Sequence, residues 1–331
     1  MIRYLKWVAH FLVYQLVSML QSLVWKLNGI QQHIDRSRSG ECFHTSAQQL
    51  SIQWRYSPDS TSMGYRSYYI AIHENFIHPE RVLQSDCSLY LVTETDAVFV
   101  KVPSEIDLED VIKHPFYMES QYHHATELIV MPICSLIELS QQCKMPKNTI
   151  WLYNTNRCGS TAMAQMFHTV PNCSVYAETQ AVESHIRDKL LNGEDVHQYI
   201  HSTKFRVLCA AATRVTLKNS KNVAFLKVIG RVAISYADVI MELFPDHHFL
   251  FLHRNWMTTT QSNYKTQFVK GIEGIKLHLA LWRIFGNKLP TVSRSLQKKN
   301  TLTAQHKVNS HTNTVNWTAS SHCKNQFFVG G

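Results

Sequence analysis

The stretch Asn154-Thr155-Asn156-Arg157-Cys158-Gly159-Ser160-Thr161 is the first place in this chain where residue types and spacing suit chemistry. It follows the apolar run Thr149-Ile150-Trp151-Leu152-Tyr153 and precedes Ala162-Met163-Ala164-Gln165-Met166-Phe167, a set of good helix formers. A strand, a tight turn and a helix N-terminus make an anion cradle. The first N–H groups of a helix have no intrahelical partner, and the helix dipole is positive there. Arg157 adds a fixed charge with a planar fork of donors. The plain alternative is a strand–turn–helix capped by Ser160 or Thr161. A cysteine-phosphatase loop is excluded, because it needs its Arg several residues after the Cys, whereas Arg157 precedes Cys158.

A second cluster follows His248-Phe249-Leu250-Phe251-Leu252-His253, a near-continuous apolar run that predicts a buried parallel strand. Arg254 stands directly beyond it. In open parallel sheets, ligands bind outside the carboxyl ends of the strands. Ser262 lies eight residues after Arg254, about two helical turns into the next segment. An Arg at a strand end and a hydroxyl on the following helix can grip a second phosphate.

This layout resembles the sulfotransferases that use PAPS (3′-phosphoadenosine 5′-phosphosulfate), and among them the protein-tyrosine and carbohydrate sulfotransferases. The matching part is about residues 148–270. The resemblance implies a three-layer α/β fold with a P-loop-type parallel sheet flanked by helices. It implies that Arg157, Cys158, Gly159, Ser160 and Thr161 surround the 5′-phosphosulfate, and that Arg254 and Ser262 hold the 3′-phosphate. Glu178, 21 residues after Arg157, takes the place of the general base. Lys227, 27 residues before Arg254, joins Arg157 in stabilising the transferring sulfuryl group. The implied co-substrate is PAPS, with no metal, and the acceptor is a hydroxyl or amine of a carbohydrate or protein. The implied location is the Golgi membrane, single-pass type II, with a cytoplasmic or peripheral-membrane protein as the alternative. The family's later Gly-rich segment is not recognisable, since Lys270-Gly271-Ile272-Glu273-Gly274-Ile275-Lys276 sits early and lacks its pattern. A catalytically inactive, truncated nucleotide-binding relative is therefore the rival reading. Another P-loop enzyme ranks below it, because no GxxxxGK[ST] is present.

The elements that must position these residues are legible in outline. Residues 7–25 contain no Asp, Glu, Lys or Arg and are flanked by Arg3, Lys6 and Lys26, which is about the length of a membrane span. Gln15, Ser18 and Ser22 share one helical face, so an amphipathic helix lying on a membrane or packed on the protein is also open. Residues 1–30 are taken as this helix, 31–62 as a polar linker or stem with a short strand possible at 50–54, and 63–147 as a small α+β module. Residues 148–290 are the sulfotransferase-like domain and 291–331 a disordered polar tail. Within the module, 88–93 and 97–102 predict a hairpin turning at Glu94-Thr95-Asp96. Residues 106–112 and 122–128 read as short helices, 127–132 is ambiguous, and 135–143 is helical. Farther on, strands are predicted at 173–177 and 222–228, with helices at 182–191, 196–213, 234–244 and 271–284. Strand and helix in alternation imply a parallel sheet.

Composition supports a globular protein of one large or two ordinary domains: 331 residues, 45% hydrophobic and 17% charged. The net charge of +9 favours anionic partners. Lys and Arg are scattered and no nucleic-acid-binding signature is present, so nucleic acid is not an expected partner. The eight cysteines form no CxxC pair and the 19 histidines no HExxH. The tripeptides Asn172-Cys173-Ser174 and Asn316-Trp317-Thr318 are compatible with a secretory lumen.

Overall fold

The computed structural model describes residues 2–56, 66–155, 157–179, 181–228, 233–263 and 326–330. They build a mixed α/β protein with two five-stranded sheets. The first sheet is antiparallel. Its strands β1 (Ala47–Arg55), β2 (Tyr69–Ile77), β3 (Cys87–Val92), β4 (Asp96–Lys101) and β5 (Glu127–Pro132) run in the order β2-β1-β5-β4-β3. The predicted hairpin is β3–β4, with buried Leu89 opposite buried Phe99. The ambiguous segment 127–132 is a central strand paired on both sides, which fits its buried Leu128, Ile129, Val130 and Met131.

Helix α1 (Ile2–Leu27) is followed by α2 (Ile30–Arg38) and then β1. Residues 30–55 are thus part of the fold and not a linker. The polar composition of β1 hides its strand character, because its polar side chains are satisfied across the sheet. Gln49 Nε2 donates to Glu127 Oε2 at 2.5 Å, and Gln48, 4% exposed, meets His73 at 3.2 Å. Arg38 clamps α2 to the hairpin by a fork on Asp96, at 3.2 and 2.7 Å.

Three helix predictions are corrected. Residues 106–112 form turns, because the Asp107 and Asp110 carboxylates accept nearby backbone N–H groups at 2.9–3.2 Å and compete with a helix. The helix predicted at 122–128 is instead α3 (Tyr117–His124), closed by Arg55, which donates to the carbonyls of Tyr122, His123 and Ala125. The helix predicted at 196–213 is two: α7 (Val196–Ile200), capped by Asp195, and α8 (Thr203–Thr216), capped by Ser202. The helix predicted at 135–143 is present as α4 (Ile133–Ser140), which starts two residues earlier and stops three earlier.

The second sheet is parallel throughout: β6 (Asn148–Asn154), β7 (Cys173–Ala177), β8 (Val223–Lys227), β9 (His248–His253) and β10 (Gln326–Gly330), in the order β10-β9-β6-β8-β7. Helix α5 (Ser160–His168) follows β6, α6 (Ala181–Asn192) follows β7, α9 (Ala237–Leu243) precedes β9 and α10 (Trp256–Asn263) follows it. Residues 326–330 are therefore a strand where disorder was predicted. The remainder of the predicted tail, the helix at 271–284 and Asn316 lie outside the described residues. Apolar residues 249–252 of β9 are half-buried, not buried. The division at 147/148 separates two sheets but not two cores. Tyr90, Val100 and Tyr122 of the antiparallel part share one buried cluster with Trp151, Tyr176 and Leu226 of the parallel part.

Candidate functional site

The carboxyl ends of β6, β7, β8 and β9 carry the sequence-predicted site residues. β8 ends at Lys227, whose side chain is 2% exposed. Its Nζ donates to Glu178 Oε1 at 2.6 Å and to Thr161 Oγ1 at 3.0 Å. Glu178 directly follows β7 in the left-handed region, at φ 67°. Its N–H extends the ladder to Lys227 O at 2.7 Å, so backbone and side chain together hold a conformation that a residue with a Cβ rarely adopts. The Glu178 carboxylate keeps 28% exposure. It is open to solvent while paired to a buried ammonium.

The loop after β6 turns sharply. Arg157 is left-handed at φ 53°, and Gly159, the N-cap of α5, at φ 94°. Gly159 supplies no capping side chain, and the first helical bond is Met163 N–H to Gly159 O. The plain prediction of a Ser160 or Thr161 cap is thereby corrected: these are the first two residues of the helix, and Thr161 Oγ1 serves Lys227 instead. Thr155 N–H bonds Leu252 O at 3.2 Å, and Asn154 Nδ2 donates to Val228 O at 2.9 Å, which ties the loop entry to β9 and β8. Cys158 is half-buried between Arg157 and Gly159.

Arg254 and Ser262 meet this loop. Asn255 Oδ1 accepts the Met257 N–H at 3.0 Å and starts α10, so Ser262 falls two turns along. Arg157 Nε donates to Ser262 Oγ at 2.9 Å, and Arg254 Nη1 reaches Arg157 O at 3.5 Å. Both Arg side chains are exposed. The two groups predicted from sequence as separate grips therefore adjoin through Arg157. The cluster brings together three cationic side chains, one carboxylate and the open N-terminus of α5. Thr155 Oγ1 and Thr259 Oγ1 are buried here without a hydrogen-bond partner among the described residues. A Cβ built on Gly159 would meet nothing within 4 Å. Such a surface can hold an anion with several oxygens and can accept a proton at Glu178.

Phe116 was missed by sequence reading. Its ring centroid lies 5.4 Å from Lys227 Nζ. It comes from the segment before α3, far away in the chain. Glu109 anchors that segment by accepting from Tyr176 Oη at 2.9 Å, and Tyr117 packs on Tyr176 at 5.6 Å. Only side-chain geometry across the shared core reveals this approach.

Compared with protein families, curated proteins and solved structures, the chain matches none.

Proposed function

We propose that this chain is a PAPS-dependent sulfotransferase with a P-loop-type fold, acting on a hydroxyl or amine of a carbohydrate or protein. One observation carries the reading. A carboxylate, a buried ammonium and a hydroxyl converge within hydrogen-bond distance: Glu178 just past β7, Lys227 at the end of β8 and Thr161 in the first turn of α5. The Arg157–Ser262 contact and Arg254 stand beside the loop on the same sheet edge.

These residues fit a nucleotide with phosphates at two ends of its ribose. The N-terminus of α5, Arg157 and Lys227 would hold the phosphosulfate, with Thr155 Oγ1 an available donor. Arg254 and Ser262 would hold the 3′-phosphate. In the transfer step a bond forms from the acceptor oxygen or nitrogen to sulfur, and the bond from sulfur to the 5′-phosphate oxygen breaks. Glu178 takes the acceptor proton. Lys227 and Arg157 balance the charge that develops on the departing phosphate. The same reading places the protein at the Golgi membrane, held there by α1.

Calorimetry with 3′-phosphoadenosine 5′-phosphate tests the reading. Binding that weakens at least about tenfold in Arg254→Ala is expected, as for the loss of a charge-assisted contact. No binding by the intact chain would overturn it. Transfer of labelled sulfate from PAPS, abolished in Glu178→Gln with nucleotide binding kept, would assign the base.

A further inference from the structure

Helix α1 packs on the protein partly through polar groups and turns a broad apolar stripe outward, with Gln15, Ser22 and Lys26 exposed beside it. His10 Nε2 meets Ser67 O at 2.9 Å, and Gln21 Nε2 donates to Ala71 O at 2.8 Å. His10 stacks on Tyr56 at 5.2 Å, and Trp25 stands edge-on to His73 at 6.3 Å. Helix α1 therefore lies along the edge strand β2. The exposed positions 12, 13, 16, 19, 20, 23, 24 and 27 are all Leu, Val or Met, 48–77% exposed. Their spacing traces one continuous stripe, about 22 Å long at 1.5 Å per residue. An apolar face of this kind, opposite a side that hydrogen-bonds the protein body through His10 Nε2 and Gln21, is matched to a medium that is not water.

We infer that α1 lies in the plane of a bilayer with anionic headgroups, its outward stripe in the acyl boundary and β2 on its other side. Two observations select this occupant. The first acidic residue of the chain is Asp35, so α1 and its flanks carry only Arg3, Lys6 and Lys26 as formal charges, and Lys6 and Lys26 are exposed at the two ends of the stripe. That charge suits anionic lipid and opposes the pairing of two copies side by side. The second observation is the seam itself. Val8–Leu27 is long and apolar enough to cross a membrane, but crossing would take β2, with its exposed Glu74 and Asn75, into hydrocarbon or would break the His10 and Gln21 bonds. The helix thus holds the folded body against the membrane surface, in contrast to the spanning anchor expected from its length. This inference stands independently of the sulfotransferase reading.

The test uses the full chain synthesised with vesicles of phosphatidylcholine, with or without phosphatidylserine. Flotation with the anionic vesicles is expected, at least about tenfold above the neutral ones. The double variant Leu16→Asp, Leu20→Asp, which changes outward positions only, is expected to lower flotation at least about tenfold. In vesicle-bound protein, Gln21→Cys with Ala71→Cys should cross-link through a short bis-maleimide above the wild-type background, and an N-terminal tag should stay open to protease outside the sealed vesicles. A protected tag without the cross-link would show a spanning helix and overturn the inference. Equal flotation on neutral vesicles, undiminished flotation of the double variant, or a lipid-independent dimer that does not float would each overturn it as well.

Discussion

Replacing Lys227 by Met removes the ammonium that joins Glu178 to Thr161 and keeps most of the side-chain volume. The ammonium is buried, 2% exposed, and makes bonds of 2.6 and 3.0 Å. Removing one partner of a fully buried ion pair costs about 3–5 kcal/mol. Glu178 retains 28% exposure, so water recovers part of its solvation, and a loss of about 1–3 kcal/mol is expected for Lys227→Met. Glu178→Gln leaves the ammonium buried with neutral acceptors and should cost about 1–2 kcal/mol. The double variant removes both charges, so its loss should fall short of the sum by about 1–2 kcal/mol. For a protein of this size each kcal/mol moves Tm by about 2–4 °C, which makes the coupling measurable by calorimetric melting of the four proteins. Strictly additive Tm shifts would refute the argument, because Lys227 and Glu178 would then not sense one another. A Lys227→Met protein as stable as wild type would refute the burial of the charge.

Two further perturbations follow from backbone and from pH. Gly159→Ala should lose about 1–2 kcal/mol in denaturant unfolding, from the left-handed backbone alone, since the added Cβ has open space. Gly159→Asn should lose less, and a loss in Ala equal to that in Asn would contradict this. Burial pushes His185 and His247 down to about 4 from the ordinary 6.5. Between those values the unfolded chain binds protons that the folded chain does not, so stability is full above about pH 6.5 and falls as the pH drops toward 4. His185→Phe, which gives up the 2.8 Å contact with Tyr199 Oη, should flatten the fall between pH 7 and 5 by about 1–2 kcal/mol. An unchanged slope would rule out His185 as a source of the acid sensitivity.

Legibility differed among elements for physical reasons. The strands β6, β8 and β9 were readable because parallel strands collect apolar runs, and the loop after β6 because its residue types suit a tight turn before a helix. β1 was not readable, since Gln48 and Gln49 find their partners, His73 of β2 and Glu127 of β5, only once those strands are alongside. The break between α7 and α8 rests on Ser202 turning its hydroxyl to Phe205 N–H, a choice that helix propensity does not announce.

The sequence by itself determined that Arg157, Glu178, Lys227 and Arg254 stand at or just beyond strand ends, because strand period and strand limits are local properties. It also determined that residues 7–25 form an apolar helix. Only the tertiary structure decided that Lys227 spans from Glu178 to Thr161, that Arg157 reaches Ser262 and that Phe116 overlies the ammonium. It also decided which face of α1 turns outward. These side-chain contacts join residues 49 to 111 positions apart, and they depend on strand order and on the direction of each side chain. Neither is a property of a local segment, so no reading of spacing along the chain can supply them.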